Sequence, residues 1–223
     1  MKAVYLCLCM LAAFCFPAAA LPADCSQVIV GSADGWNSSH VQLSLLEKGP
    51  RGWVMVKGPF PARLGKSGLV WGRGIFELGG VYGTVPAPQK KRSMPYRRIT
   101  PRDMWVDDPA SPLYNQHFVL KHDPVTPWEF KQQMKLNDYA HSLKLFIRHN
   151  AADGRQKPVP GAGSSIFFHI WRRDGGAPTA GCTAMSEENL RAMIAWLDPS
   201  RHPLYILLPA REYLRLRRAW GLP

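Results

Sequence analysis

Residues 163–185, GSSIFFHIWRRDGGAPTAGCTAM, constrain this chain more than any other stretch. Ser164 to Trp171 alternates with a period of two: Ile166, Phe168 and Ile170 fall on one face, Phe167, His169 and Trp171 on the other, which predicts a strand. A turn-rich segment follows (Asp174, Gly175, Gly176, Pro178), then Thr179-Ala180-Gly181-Cys182. A strand therefore delivers a histidine, and thirteen residues later a loop returns a cysteine behind a glycine. A thiolate nucleophile needs a base within hydrogen-bond reach and backbone N–H donors for an oxyanion. Glycine before the nucleophile permits a tight turn that aims such donors. A Cys182–His169 pair is the chemistry this arrangement points to.

The chain has 223 residues, which sets one domain with a sizeable core as the expectation. Residues 1–20 read as a secretory signal: Lys2, an apolar run from Ala3 to Phe16, and a small-residue end at Ala18-Ala19-Ala20. The run is short for a membrane span, so residues 21–223 are expected as one catalytic domain, without stable membrane insertion after cleavage. Cys7, Cys9 and Cys15 leave with the signal, and Cys25 and Cys182 stay. Exported pairs commonly bond, so a Cys25–Cys182 bridge competes with a free nucleophile. The glycine-turn and histidine context of Cys182 favours the free thiol, and Cys25 is expected in a frayed terminus. The net charge of +12 becomes +11 once Lys2 is removed. That balance suits anionic partners or simple solubility. No zinc-finger, RRM or KH pattern is present, so nucleic acid is not an expected partner.

Along the chain, 27–31, 41–46 and 52–57 predict strands, with Asp34-Gly35 and Asn37 marking the first turn. Residues 84–101, rich in proline and cations including Arg97 and Arg98, read as a solvated loop or a lid. Asp107-Asp108 lacks a third acid or histidine at ligand spacing, so pairing with arginine is expected and no metal or cofactor. Residues 141–149 alternate as another strand, Lys144, Phe146 and Arg148 on one face. His40, His117, His122, His141, His149 and His202 have no nucleophile nearby in sequence, and each reads as structural or solvated. Ser186 is an N-cap for a helix with Leu190, Met193, Ile194 and Leu197 at core spacing, ended by Pro199. Residues 205–208 predict a buried strand and 211–220 a basic helix. Short strands with few helices indicate a mainly β fold, a β-sandwich with peripheral helices.

The central stretch resembles the L,D-transpeptidases of the YkuD/ErfK group, which carry a strand histidine, a spacer of this length and a Ser/Thr-x-Gly-Cys motif. His169 and Thr179-Ala180-Gly181-Cys182 stand in those positions. Usual members read Ser-His-Gly-Cys followed two residues on by Arg or Asn. Ala180 and Ala184 stand there in this chain, which is similar to a divergent Thr-Ala-Gly-Cys branch. Residues 65–69 with Trp71-Gly72, the Trp105-Val106-Asp107-Asp108-Pro109 segment and Asn150 resemble further parts of the family domain, whereas Gly74-Ile75-Phe76 matches only the tail of a longer family loop. The resemblance implies a YkuD-type sandwich with mixed sheets. It also implies a Cys182 thioester acyl-enzyme on peptidoglycan stem peptides, made by attack at the amide before the terminal D-alanine. His169 then acts as base and acid, a main-chain carbonyl around Ile170 orients it, and the Cys182 N–H, alone or with that of Gly181 in the oxyanion loop, holds the oxyanion. Thr179 belongs to the motif, and Arg97, Arg98, Trp105 and Trp171 are the expected substrate-binding residues. The resemblance places the protein in the periplasm or cell envelope of a bacterium. The acyl group goes to a second stem, forming a 3–3 crosslink, or attaches a protein to the wall. Water as acceptor makes the same site a carboxypeptidase or amidase. From another class, a non-catalytic wall-binding module has a structural Cys182. The sequence leaves acceptor and oligomeric state open.

Overall fold

The computed structural model describes residues 20–69, 74–88, 90, 92–152 and 156–223. The expected signal segment up to residue 19 and Trp71-Gly72 lie outside the described residues. The elements in order are β1 (Gln27–Ala33), β2 (His40–Gly49), β3 (Gly52–Arg63), β4 (Gly74–Gly83), β5 (Tyr96–Arg98), β6 (Asp103–Trp105), β7 (His117–Val119) and α1 (Pro127–Gln132). They continue with β8 (Leu143–Ile147), β9 (Phe167–Ile170), β10 (Thr183–Met185), α2 (Glu187–Trp196), β11 (Leu204–Pro209) and α3 (Ala210–Trp220).

The main sheet runs β11-β1-β2-β3-β10-β9-β8-β4-β5, and β4 also pairs with β11. It is mixed: β1–β11, β9–β10 and β4–β5 are parallel, the rest antiparallel. Strand β4 closes it, placing residues 74–77 against β11 and 81–83 against β8 and β5. The sheet therefore folds over itself as the expected sandwich. Its core holds Ile29, Leu43, Leu45, Leu145, Phe168, Met185 and Tyr205, with Leu190, Met193 and Ile194 of α2. Burying each such aliphatic side chain contributes about 1.5–3 kcal/mol.

Strands β1 and β11 are apolar on both faces because both are covered. Ile29, Tyr205 and Leu207 face the main core. Val28, Val30, Leu204, Ile206 and Leu208 face a second cluster, closed by Tyr213, Leu216 and Trp220 of α3. Cys25 is 1% exposed in that second cluster, so its segment is tied down rather than frayed. Leu21 N–H donates to the Trp220 carbonyl and Ser26 N–H to that of Arg201. The loop expected over 84–101 contains β5, and Lys90 Nζ donates to the Trp196 carbonyl. Both strap it to the body.

Candidate active site

His169 lies on β9, 4% exposed, and its Nδ1 stands 2.7 Å from the Ile170 carbonyl. A carbonyl only accepts, so Nδ1 carries the proton and Nε2 keeps its lone pair. Register then orders the face around it. Lys144 pairs with His169 and with Tyr82, while Ala184 pairs with His169 and with Arg63. Tyr82, Lys144, His169, Ala184 and Arg63 thus form one row across five strands, and directly paired residues share a face. Phe146 and Phe167 are paired in the adjoining row. Cys182 immediately precedes β10, whose parallel register pairs Thr183 with Phe168 and Ala184 with His169.

The loop bearing Cys182 is held against residues 64–66. Thr179 N–H donates to the Leu64 carbonyl and Lys66 N–H to that of Thr179. A Cβ on Gly65 would meet Gly181 Cα at 3.1 Å, so the two glycines permit this approach. Thr179 Oγ1 donates to the Cys182 carbonyl at 2.6 Å and accepts from Gly181 N–H at 3.0 Å. The Gly181 amide is thereby committed inside the loop.

Cys182 Sγ accepts from Phe167 N–H and donates to the Ser165 carbonyl, each at 3.4 Å. Asn115 fixes Ser165: its Oδ1 accepts from Ser165 N–H (3.1 Å) and from Trp105 Nε1 (2.9 Å), and its Nδ2 holds the His149 and Asn150 carbonyls. Among the described residues no hydrogen bond joins Cys182 to His169, and the thiol is held by main chain at Phe167 and Ser165. Cys25 and Cys182 are both free thiols, in separate clusters.

Several charged groups missing from the sequence reading converge here. His141 stacks on His169 with centroids 4.6 Å apart at 24°. Asp138 accepts from both the His141 backbone and its Nδ1 (2.7 Å), and also pairs with Arg172 (2.5 Å). Burial pushes the Asp138 carboxyl up, but the Arg172 and His141 hydrogen bonds outweigh it and hold the group at about 2. Burial, with the His141 charge, pulls His169 down to about 4. Burial raises the Cys182 thiol, while the Phe167 N–H and the charges of Lys144 and Arg172 oppose it. Lys144 is 4% exposed, and burial lowers it to about 8. Its visible sequence signal was parity alone: a lysine between leucines in a short apolar strand, on the face that Phe146 shares.

The expected substrate-binding residues divide. Arg97 is 42% exposed and donates from Nε to Asp103, a buried carboxylate that Thr100 and His117 also hold. Arg98 is exposed at the end of β5. Trp105 is 6% exposed and packed on Phe146, Phe167 and Tyr82, so it backs the site instead of offering a contact face. Trp171 is half-buried with its ring against Gly175. Among the described residues no arginine pairs with Asp107 or Asp108: Asp107 accepts from the Ser164 hydroxyl and Asp108 from Trp128 Nε1. No group of three potential metal ligands occurs among the described residues.

The model of the YkuD family, the L,D-transpeptidase catalytic domain, matches residues 52–206. Among solved structures, the helical cell shape determining protein Pgp2 from Campylobacter jejuni is similar at 12% identity and a TM-score of 0.40, over 82% of this chain and 48% of that one. The chain thus spans about half the length of that protein. The search of curated proteins finds no match. With more than half of its length matched, including the histidine strand and the cysteine loop, the chain belongs to the YkuD family of L,D-transpeptidase catalytic domains.

Proposed function

We propose that the protein is an L,D-transpeptidase acting on peptidoglycan stem peptides in the bacterial cell envelope, with Cys182 as nucleophile and His169 as base. One observation supports this reading: Cys182 immediately precedes β10, whose parallel pairing with β9 sets Ala184 beside His169, and the Ile170 carbonyl takes the Nδ1 proton and leaves His169 Nε2 free to accept another. Cys182 Sγ attacks the amide carbonyl before the terminal D-alanine, and its proton passes to Nε2. The Cys182 N–H faces the developing oxyanion. As the tetrahedral intermediate collapses, the C–N bond breaks and Nε2 returns the proton to the departing amine. A second stem's amine then attacks the thioester carbonyl and Cys182 leaves as thiol. Half-buried Tyr82 and the exposed guanidinium groups of Arg97 and Arg172, held by Asp103 and Asp138, supply a face for an acidic peptide. No helix among the described residues is long and apolar enough to cross a membrane, consistent with action from solution on the wall.

The test is to incubate the protein with tetrapeptide muropeptides and read products by mass. Free D-alanine with crosslinked dimers is expected from the wild type, and neither from Cys182→Ala. A tripeptide without dimers would make the enzyme a hydrolase of the same site. No product from a protein whose Cys182 is demonstrably a free thiol would leave only the wall-binding module.

A further inference from the structure

Lys144 is a buried ammonium for which the mechanism above has no use. It lies on β8 among Leu143, Leu145, Phe146 and Ile147, and among the described residues its Nζ donates to a single acceptor, the Met134 carbonyl at 3.0 Å. The same Nζ stands 5.3 Å from the centroid of the Phe167 ring, a cation–π distance. A lysine this buried without a carboxylate partner is costly to keep charged. What faces it is specific. Tyr82 of β4 and His169 of β9 are its partners in register. Cys182 and Asp138 act on its charge with the opposite sign. His141 and Arg172, beside Asp138, complete the ring of titratable and charged groups. Of these, the Cys182 thiol has main-chain partners alone among the described residues, the Phe167 N–H and the Ser165 carbonyl.

We infer that Lys144 stabilises the negative charge that develops on the Cys182 sulfur as its proton passes to His169, so that this charge meets a fixed ammonium besides the imidazolium that forms. The inference rests on the proposed Cys182 chemistry. Its physical ground is Phe167, which both groups touch: Lys144 Nζ lies over its ring and Cys182 Sγ accepts from its N–H. Lys144 and Arg172 both oppose a positive charge on His169, and burial opposes it further, whereas both favour a negative charge on Cys182. An imidazole in that field stays neutral at rest. It takes the thiol proton only as the S–C bond forms and releases it readily to the leaving amine. Lys144 keeps its proton throughout, touches no reacting atom and acts through Cys182. It is a positioning residue for charge.

The experiment follows alkylation of Cys182 by iodoacetamide against pH, with the modified peptide read by mass so that Cys25 does not contribute. Lys144→Met keeps the length and apolar stem and removes the charge. Its apparent Cys182 pKa should rise by at least about one unit, so alkylation at neutral pH falls about tenfold. D-Alanine release should lose kcat with KM little changed. Lys144→Arg, which holds its charge at every working pH, should restore neutral-pH alkylation toward wild type. A Lys144→Met profile that superimposes on wild type overturns the inference. If that variant does not fold, the wild type carries the test by reciprocity, since coupling between two sites is the same seen from either. Capping Cys182 as a neutral thioether should then lower the Lys144 pKa observed by 15N NMR of labelled lysines, and an unmoved lysine pKa overturns the inference equally. A wild type that releases no D-alanine sinks the transpeptidase reading while the thiol profile still decides for or against Lys144. An unmoved profile in an active enzyme sinks the Lys144 inference alone.

Discussion

The Nδ1 bond from His169 to the Ile170 carbonyl orients an imidazole that burial keeps neutral. His169→Ala should leave a folded protein whose D-alanine release drops by several orders of magnitude, measured with tetrapeptide muropeptides, because the base is lost while the oxyanion donor stays. The same burial has a stability consequence. The folded His169 titrates at about 4 against an ordinary 6.5. Between those values the unfolded chain binds a proton that the folded chain refuses, so stability falls as pH drops through that window. Urea melts from pH 7 to pH 4.5 should show a loss in wild type that is smaller in His169→Ala. Thr179 acts at the same scale. Its hydroxyl closes the loop from both sides, and Thr179→Val, of equal shape without the hydroxyl, should cost about 1–2 kcal/mol. Activity should fall by more than stability does, because the freed Gly181 amide lets the Cys182 turn drift.

Between strands, one carboxylate organises the segment that walls the site. Asp103, at the start of β6, is fully buried and accepts from Arg97 of β5, from both N–H and hydroxyl of Thr100, and from His117 of β7. Burial pushes this carboxyl up, yet those hydrogen bonds hold it at about 2. Its stabilising effect is therefore complete above the unfolded value near 3.8 and disappears as pH falls toward 2. Asp103→Ala strands a half-exposed arginine and a histidine around an empty site, and should cost about 3 kcal/mol in denaturant melts. Helix α2 shows the same dependence on one group. Ser186 caps it through Asn189 N–H, so Ser186→Ala should lose about 1 kcal/mol without changing the thiol chemistry.

At the scale of the molecule, the sheet closes because β4 reaches β11 while β1 and β11 run parallel. Helix α3 then seals the outside of that parallel pair. Cys25 belongs to this seal, with its thiol donating to the Gln27 carbonyl at 3.4 Å, far in structure from the role of Cys182. Cys25→Ser should leave D-alanine release and Cys182 alkylation unchanged while lowering stability by about 1 kcal/mol, since a hydroxyl is harder to bury there. If it proves as inactive as Cys182→Ala, the two cysteines work as a redox pair and the acyl-enzyme chemistry falls.

Local pattern was enough for much of this. Alternation from Ile166 to Trp171 placed His169 opposite Phe168, glycine and spacing placed Cys182 on a returning loop, and Ser186 with Leu190, Met193 and Ile194 marked α2, because strand parity, turn chemistry and capping are properties of adjacent residues. Strand ends were less legible: β3 runs on to Arg63 and β9 keeps only Phe167–Ile170, since hydrogen-bond partners set an end. The site's charge was illegible for a similar reason. His141 looked like one of six ordinary histidines, and Lys144 was only a strand residue on the face of Phe146 and Arg148. Trp105 looked like a contact surface. Register across β8, β9 and β10 stacks His141 on His169, buries Lys144 against Phe167 and seals Trp105 behind both, and the Thr179 hydroxyl takes the Gly181 amide. Periodicity says which way a side chain points, but only the folded sheet decides what charge it meets there, because burial and electrostatic coupling depend on neighbours that lie many residues away along the chain.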